Sequence, residues 1–182
     1  MLDYYDLVRT STGINESLAK RLGFKSFFTE ESDFHFAKNP GEANGNIMLY
    51  SSKNEGPGPY LKNGIRAIAP QDLDSVKEIQ KYVKDMADYG TALLIDASLI
   101  EIAYGTYRSL LIGKISECTA LMLKKDIRIC LATLAKNSIE MLAAVQLIAV
   151  GEAIGLNEEE ARKAVSANKN IITKTGGFHD KG

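Results

Sequence analysis

Short apolar runs, rich in β-branched and aromatic side chains, alternate along this chain with stretches whose apolar positions fall three or four residues apart. The runs Tyr4–Val8, Phe24–Thr29, Asn46–Ser51, Ile65–Ala69, Thr91–Asp96 and Ile127–Ala132 predict six buried strands. Leu99–Ala103 is a candidate seventh. Between them, Ile14–Leu22 reads as a helix with Asn15 near its start and Gly23 past its end, where a left-handed terminus wants glycine. From Asp72 to Gly90 the residues Leu73, Val76, Ile79, Val83 and Met86 share one helical face. A further helix is expected over Thr106–Lys125, and an apolar one over Ile139–Ile154 with a capped helix behind it. Glu30–Gly45 reads as a loop or short irregular helix, and Lys53–Gly64 as a connecting loop without a nucleotide-binding glycine pattern.

Strands alternating with helices imply an α/β protein with a mostly parallel sheet, either open and doubly wound or closed into a barrel. A full eight-unit barrel usually needs over about 200 residues, whereas this chain has 182. A closed barrel on this chain would therefore be compact or incomplete, and the pattern alone fits the open sheet equally. One domain over residues 1–174 and a flexible tail over 175–182 are expected.

Composition narrows the chemistry. With 22 basic and 23 acidic side chains, a net charge of −1 and a pI near 6.2, the chain does not suit a free-standing, non-specific nucleic-acid binder. A locally basic face is still compatible with that balance. Cys118 and Cys130 lie in apolar segments without a CxxC or Cys/His pattern, and read as reduced core residues. Asp3 and Asp6 do not fit a signal peptide, and the apolar runs are too short and interrupted to span a bilayer, so a cytoplasmic protein is expected.

Three regions carry a family resemblance. Tyr4-Tyr5-Asp6-Leu7-Val8-Arg9-Thr10, followed by Leu18-Ala19-Lys20-Arg21-Leu22-Gly23-Phe24, is similar to an opening strand and an A-K-x-L-G helix end. Ala92-Leu93-Leu94-Ile95-Asp96 looks like a V-A-I-E-L strand. Thr133-Leu134-Ala135-Lys136-Asn137-Ser138 resembles an S-S-G-A-K-S loop, the segment from Ile154 to Ala161 an L-G-L-x-x-x-E-A turn, and Val165-Ser166-Ala167-Asn168 a V-S-x-N ending. Together they resemble protein component 3 of archaeal ribonuclease P, the thirty-kilodalton-type subunit family. That family is related to the polymerase-and-histidinol-phosphatase barrels. Nothing in Glu30–Gly64 matches it.

The resemblance implies an α/β fold of the compact TIM-like (β/α) barrel kind, with room for fewer than eight complete units, and a non-catalytic scaffold subunit. The catalytic RNA would carry the Mg²⁺-dependent removal of the 5′ leader from precursor tRNA, with no catalytic residue and no cofactor in this chain. A metal-dependent phosphoesterase of the related barrels is the alternative. It would place His-x-His-Thr where this chain has Leu7-Val8-Arg9-Thr10, and Asp-x-His where it has Leu134 and Lys136. The two histidines, His35 and His179, lie in an irregular loop and near the C-terminus. A small-molecule-binding β/α protein is the other alternative, with Glu55-Gly56-Pro57-Gly58-Pro59 as a lid.

On the ribonuclease P reading, cations at strand ends and helix starts neutralise phosphates where RNA helices crowd. Arg9, Arg66, Arg108, Lys114 and Lys136 are the candidates. Arg108 opens a helix, where a cation opposes the dipole, and pairs either with a partner anion or with Glu101. Lys124-Lys125-Asp126-Ile127-Arg128 and Lys20-Arg21 read as solvated helix ends. The family pairs with ribonuclease P protein component 2, commonly as a heterotetramer. The apolar helix with Val145, Ile148 and Glu152 is the candidate contact, plain burial being the competing reading.

Overall fold

Asn15, Asp72, Asp96 and Asn157 each place a side-chain oxygen on a free backbone N–H at the start of a helix, and these four caps divide the chain as its polar punctuation suggests. The computed structural model describes residues 2–10, 12–30 and 32–173. The expected tail, 175–182, lies outside the described residues, as does His179.

Six strands fall where the apolar runs predict them: β1 (Tyr5–Val8), β2 (Ser26–Thr29), β3 (Ile47–Tyr50), β4 (Ala67–Pro70), β5 (Ala92–Asp96) and β6 (Ile129–Ala132). The helices are α1 (Glu16–Arg21), α2 (Gly58–Lys62), α3 (Leu73–Ile79), α4 (Val83–Tyr89), α5 (Ala97–Ile102), α6 (Gly105–Leu123), α7 (Ala144–Ala153), α8 (Glu158–Ser166) and α9 (Asn168–Thr173). The fold class is α/β with parallel sheets. One ladder joins β1 to β2, the other runs β3-β4-β5-β6, and every pairing is parallel. Isolated parallel bridges join Val8 to Ala135, just past β6, and Phe36 to Ile47 at the start of β3.

Four expectations need correction. Leu99–Ala103 is not a strand: Asp96 accepts hydrogen bonds from the Ser98 N–H and hydroxyl, which turns the chain into α5 directly after β5. The helix expected from Ile139 starts later, at Ala144, because Asn137 captures the N–H groups of Ile139 and Glu140 in a local turn that competes with helix. The Asp72–Gly90 helix is two helices, divided by a 3₁₀ turn at Gln80–Tyr82. The loop expected over Lys53–Gly64 also holds the short α2, opened by Pro57.

Alternation along the strands separates two buried faces. Met48, Tyr50, Ile68, Leu93, Ile95, Ile129 and Leu131 pack with residues of the helices. Their neighbours Ile47, Ala67, Ala69, Ala92, Leu94, Cys130 and Ala132 form a smaller cluster with Leu7, Phe34, Leu134 and Ile171. That cluster draws from both ladders, and its alanines leave little room between the strands. Cys118 and Cys130 are buried and free, and burial pushes both thiols up to about 12.

Helices α7 and α8 meet closely at Gly151, where a Cβ would lie 2.8 Å from that of Ala161 and 3.5 Å from a Leu131 methyl. Asn168, fully buried, donates from Nδ2 to the carbonyls of Tyr5 and Leu131, 2.8 Å each, and so ties β1 to β6.

Candidate functional site

The carboxyl ends of parallel strands are where β/α proteins gather working side chains, because the loops there are free of packing duty. In this chain the ends of β1 and β6 are locked together. The N–H of Leu134 donates to Leu7 O (2.9 Å) and that of Arg9 to Ala135 O (2.7 Å). Leu134 adopts a left-handed backbone (φ 45°), a strained conformation for a branched residue, and is held in it by that hydrogen bond and by burial of its side chain.

Beneath this seam lies Asp6, fully buried. Its Oδ1 accepts from the N–H groups of Leu7 and Thr133 at 2.9 Å, and its Oδ2 from the Thr133 hydroxyl at 2.6 Å. Burial outweighs these bonds and pushes the carboxyl up to about 7. Asp96, at the end of β5, is pushed up to about 6 by burial, against the opposing pull of its Ser98 hydrogen bonds and of the positive charges of Arg9 and Lys136.

Arg9 and Lys136 therefore act on one carboxyl from two different strands. Arg9 lies over the Phe36 ring, 5.3 Å from its centroid, with Glu30 3.8 Å away. Lys136 is exposed, on a loop braced by Glu140, which accepts from the Lys136 N–H (2.8 Å) and from Asn137 Nδ2 (2.9 Å). The loop after β1 packs on the loop after β6: a Cβ on Gly13 (φ 71°) would lie 3.1 Å from Ser138 Oγ. The resulting mouth sets Arg9 and Lys136 beside the buried Asp6 and Asp96, with Glu30 and Glu140 on the same two loops.

The other sequence candidates lie elsewhere. Arg66 precedes β4, at the amino ends of the strands, and donates to the carbonyls of Ile171 (2.8 Å) and Ile172 (2.7 Å) in α9. Lys114 pairs with Glu117 one turn along α6. Arg108 is exposed in the first turn of α6, with no ion pair to Glu101 among the described residues. On α7, Val145 is 70% exposed and Glu152 is exposed, while Ile148 is buried.

Sequence reasoning missed Asp6, Asp96 and Thr133. The signal was present as an acid inside the apolar Tyr5–Val8 run and another closing Ala92–Asp96, positions where a buried carboxylate needs a dedicated partner. Among the described residues no three His, Cys, Asp or Glu side chains come together as a metal site. No helix there is long and apolar enough to cross a membrane. Searches against protein-family models and curated proteins found no match to the chain.

Proposed function

We propose that this protein is an RNA-binding scaffold subunit of the ribonuclease P type, in which the mouth formed by Arg9 and Lys136 docks on phosphates of a catalytic RNA. The observation that carries the reading is the hydrogen bond from the Arg9 N–H to Ala135 O, which brings these two cations, 127 residues apart in sequence, onto adjoining loops. The fold belongs to the proposal as well. The bridge from Val8 to Ala135 joins the two ladders, and that from Phe36 to Ile47 sets the segment after β2 along the outer strand β3, which supports a compact, incomplete barrel over a doubly wound sheet. In this role the chain supplies positioned positive charge, while the RNA and its Mg²⁺ carry phosphodiester hydrolysis. Component 2 would dock on α7 around Val145.

Reconstitution of precursor-tRNA cleavage with the cognate RNA and component 2 tests it. Addition of this protein is expected to raise the rate or lower the Mg²⁺ requirement, and Arg9→Ala with Lys136→Ala to remove that gain. No change in either quantity would overturn the proposal.

A second reading has one observation in its favour. Asp96, buried beside two cations and held near 6, has the ionisation of a general acid or base near neutral pH. On that reading the mouth takes a small anionic molecule. Saturable binding of phosphorylated small molecules that is lost in Arg9→Ala with Lys136→Ala, and their turnover lost in Asp96→Asn, without any binding of RNA, would favour it.

A further inference from the structure

Between the carboxyl ends of β4 and β5 and the first turn of α6 runs a groove floored by Ala103 and Leu111, both buried, with Gln71 and Leu99 along its side. Its rim is aromatic and open: Tyr104 is 86% and Tyr107 47% exposed, with Ile102 at 72% beside them. The two tyrosines are three residues apart and share an edge of α6. Exposed aromatic rings on a groove with a buried floor cost solvation unless something flat covers them.

The surrounding chemistry selects what that is. Tyr104 sits at the start of the 19-residue α6 without a side-chain hydrogen bond to its free N–H groups, and no acid lies in that first turn. Arg108, four residues on from Tyr104, adds a cation on the same face. The positive helix end and the guanidinium thus reinforce each other, and no acid lines the groove among the described residues. Gln71 donates its Nε2 to the carbonyls of Ala69 (3.2 Å) and Pro70 (3.5 Å), while its Oε1 accepts nothing from the described residues. Stacking faces, positive charge and an amide acceptor together match a nucleobase and its phosphate. A protein–protein contact of ordinary size needs about 800 Å² per partner, more than this rim of a few side chains offers.

We propose that this groove binds unpaired bases of an RNA strand, stacked on Tyr104 and Tyr107, with Arg108 on the adjoining phosphate. The inference rests on the RNA-binding reading above and extends it. The parallel order β4-β5-β6, with β1 bridged beyond β6, puts the groove and the Arg9–Lys136 mouth at the same, carboxyl, end of the strands. One strand can lie across both.

The test is binding of a fluorescein-labelled single-stranded ten-nucleotide RNA to the full chain, followed by anisotropy. The chain contains eight tyrosines and no tryptophan, so quenching of tyrosine fluorescence reports stacking directly. Tyr104→Ala with Tyr107→Ala is expected to weaken binding about ten-fold and to diminish the quench, with an unchanged salt dependence. Tyr→Phe at both positions should stay within about two-fold, since the ring face is kept. Tyr104→Ala alone, at the most exposed of the rim positions, provides a variant whose folding is not in question. Wild-type affinity in the double alanine variant, with loss only in Arg9→Ala plus Lys136→Ala, would overturn the groove and leave the mouth standing. Failure of the wild-type chain to bind any RNA would overturn both. A dimer in sedimentation that the alanine pair dissociates would reassign the groove to a second copy of the chain.

Discussion

Thr133 donates to Asp6 twice, through its N–H (2.9 Å) and through its hydroxyl (2.6 Å), although 127 residues separate the two. This pair fastens the first strand to the last beneath the mouth, and it determines how the protein responds to pH. Asp6 is pushed up to about 7 and Asp96 to about 6 in the folded state, both mainly by burial. A carboxyl whose folded pKa is raised contributes stability that is full below its unfolded value, near 3.8, and is lost as pH rises through the folded value.

Stability should therefore decline between about pH 4 and pH 8, by up to about 1.4 kcal/mol per pH unit for each carboxyl. Asp6→Asn keeps the geometry, since its Oδ1 still accepts from Leu7 and Thr133 and its Nδ2 donates to the Thr133 hydroxyl. Urea unfolding at pH 5, 6.5 and 8 should show Asp6→Asn overtaking the wild type as pH rises. Parallel curves for the two proteins would contradict the assignment.

Arg9, Lys136 and Arg66 separate by salt dependence. On the proposed RNA-binding reading, removal of either mouth cation should weaken RNA binding and reduce the slope of log K against log salt by about 1. Arg66→Ala should instead lower the melting temperature and leave the slope alone, because its guanidinium is spent on the carbonyls of Ile171 and Ile172.

The Asn168 clamp predicts a stability loss without an RNA effect. Asn168→Ala leaves the carbonyls of Tyr5 and Leu131 without the Nδ2 donor they share, at a cost of about 1–3 kcal/mol. Chemical denaturation measures the loss directly. An unchanged midpoint would mean that the strands hold without it.

Close packing of α7 on α8 makes Gly151 sensitive to a single methyl. The Cβ of Gly151→Ala would fall 2.8 Å from that of Ala161, a rigid neighbour, and the shift required costs about 1–3 kcal/mol. A paired substitution, Gly151→Ala with Ala161→Gly, should recover part of that loss in the same denaturation assay.

Val145 and Ile148 distinguish an interface from a core on one helix. Val145→Asp, at an exposed position, should leave the melting temperature of the isolated chain unchanged and, on the proposed reading, weaken association with component 2. Ile148→Asp buries a charge and should destabilise the chain by about 3 kcal/mol or more. Unfolding of the isolated chain by Val145→Asp would remove the support for an interface there.

The sequence by itself determined the elements. Six strands, the caps at Asn15, Asp72 and Asn157, and the left-handed glycines at Gly23 and Gly90 all follow from local periodicity and backbone preference. It also placed Arg9 and Lys136 at strand ends. Only the tertiary structure decided that β1 lies beside β6, because parallel pairing between distant segments is set by closure of the whole sheet and not by any local pattern. From that one adjacency come the burial of Asp6, the meeting of Arg9 and Lys136 over Asp96, and the strained Leu134. Arg66, a strand-end cation by the same local criterion, faces the other end of the sheet and was taken up by α9. A residue's chemistry is written in the chain, but its company is fixed by contacts between distant segments.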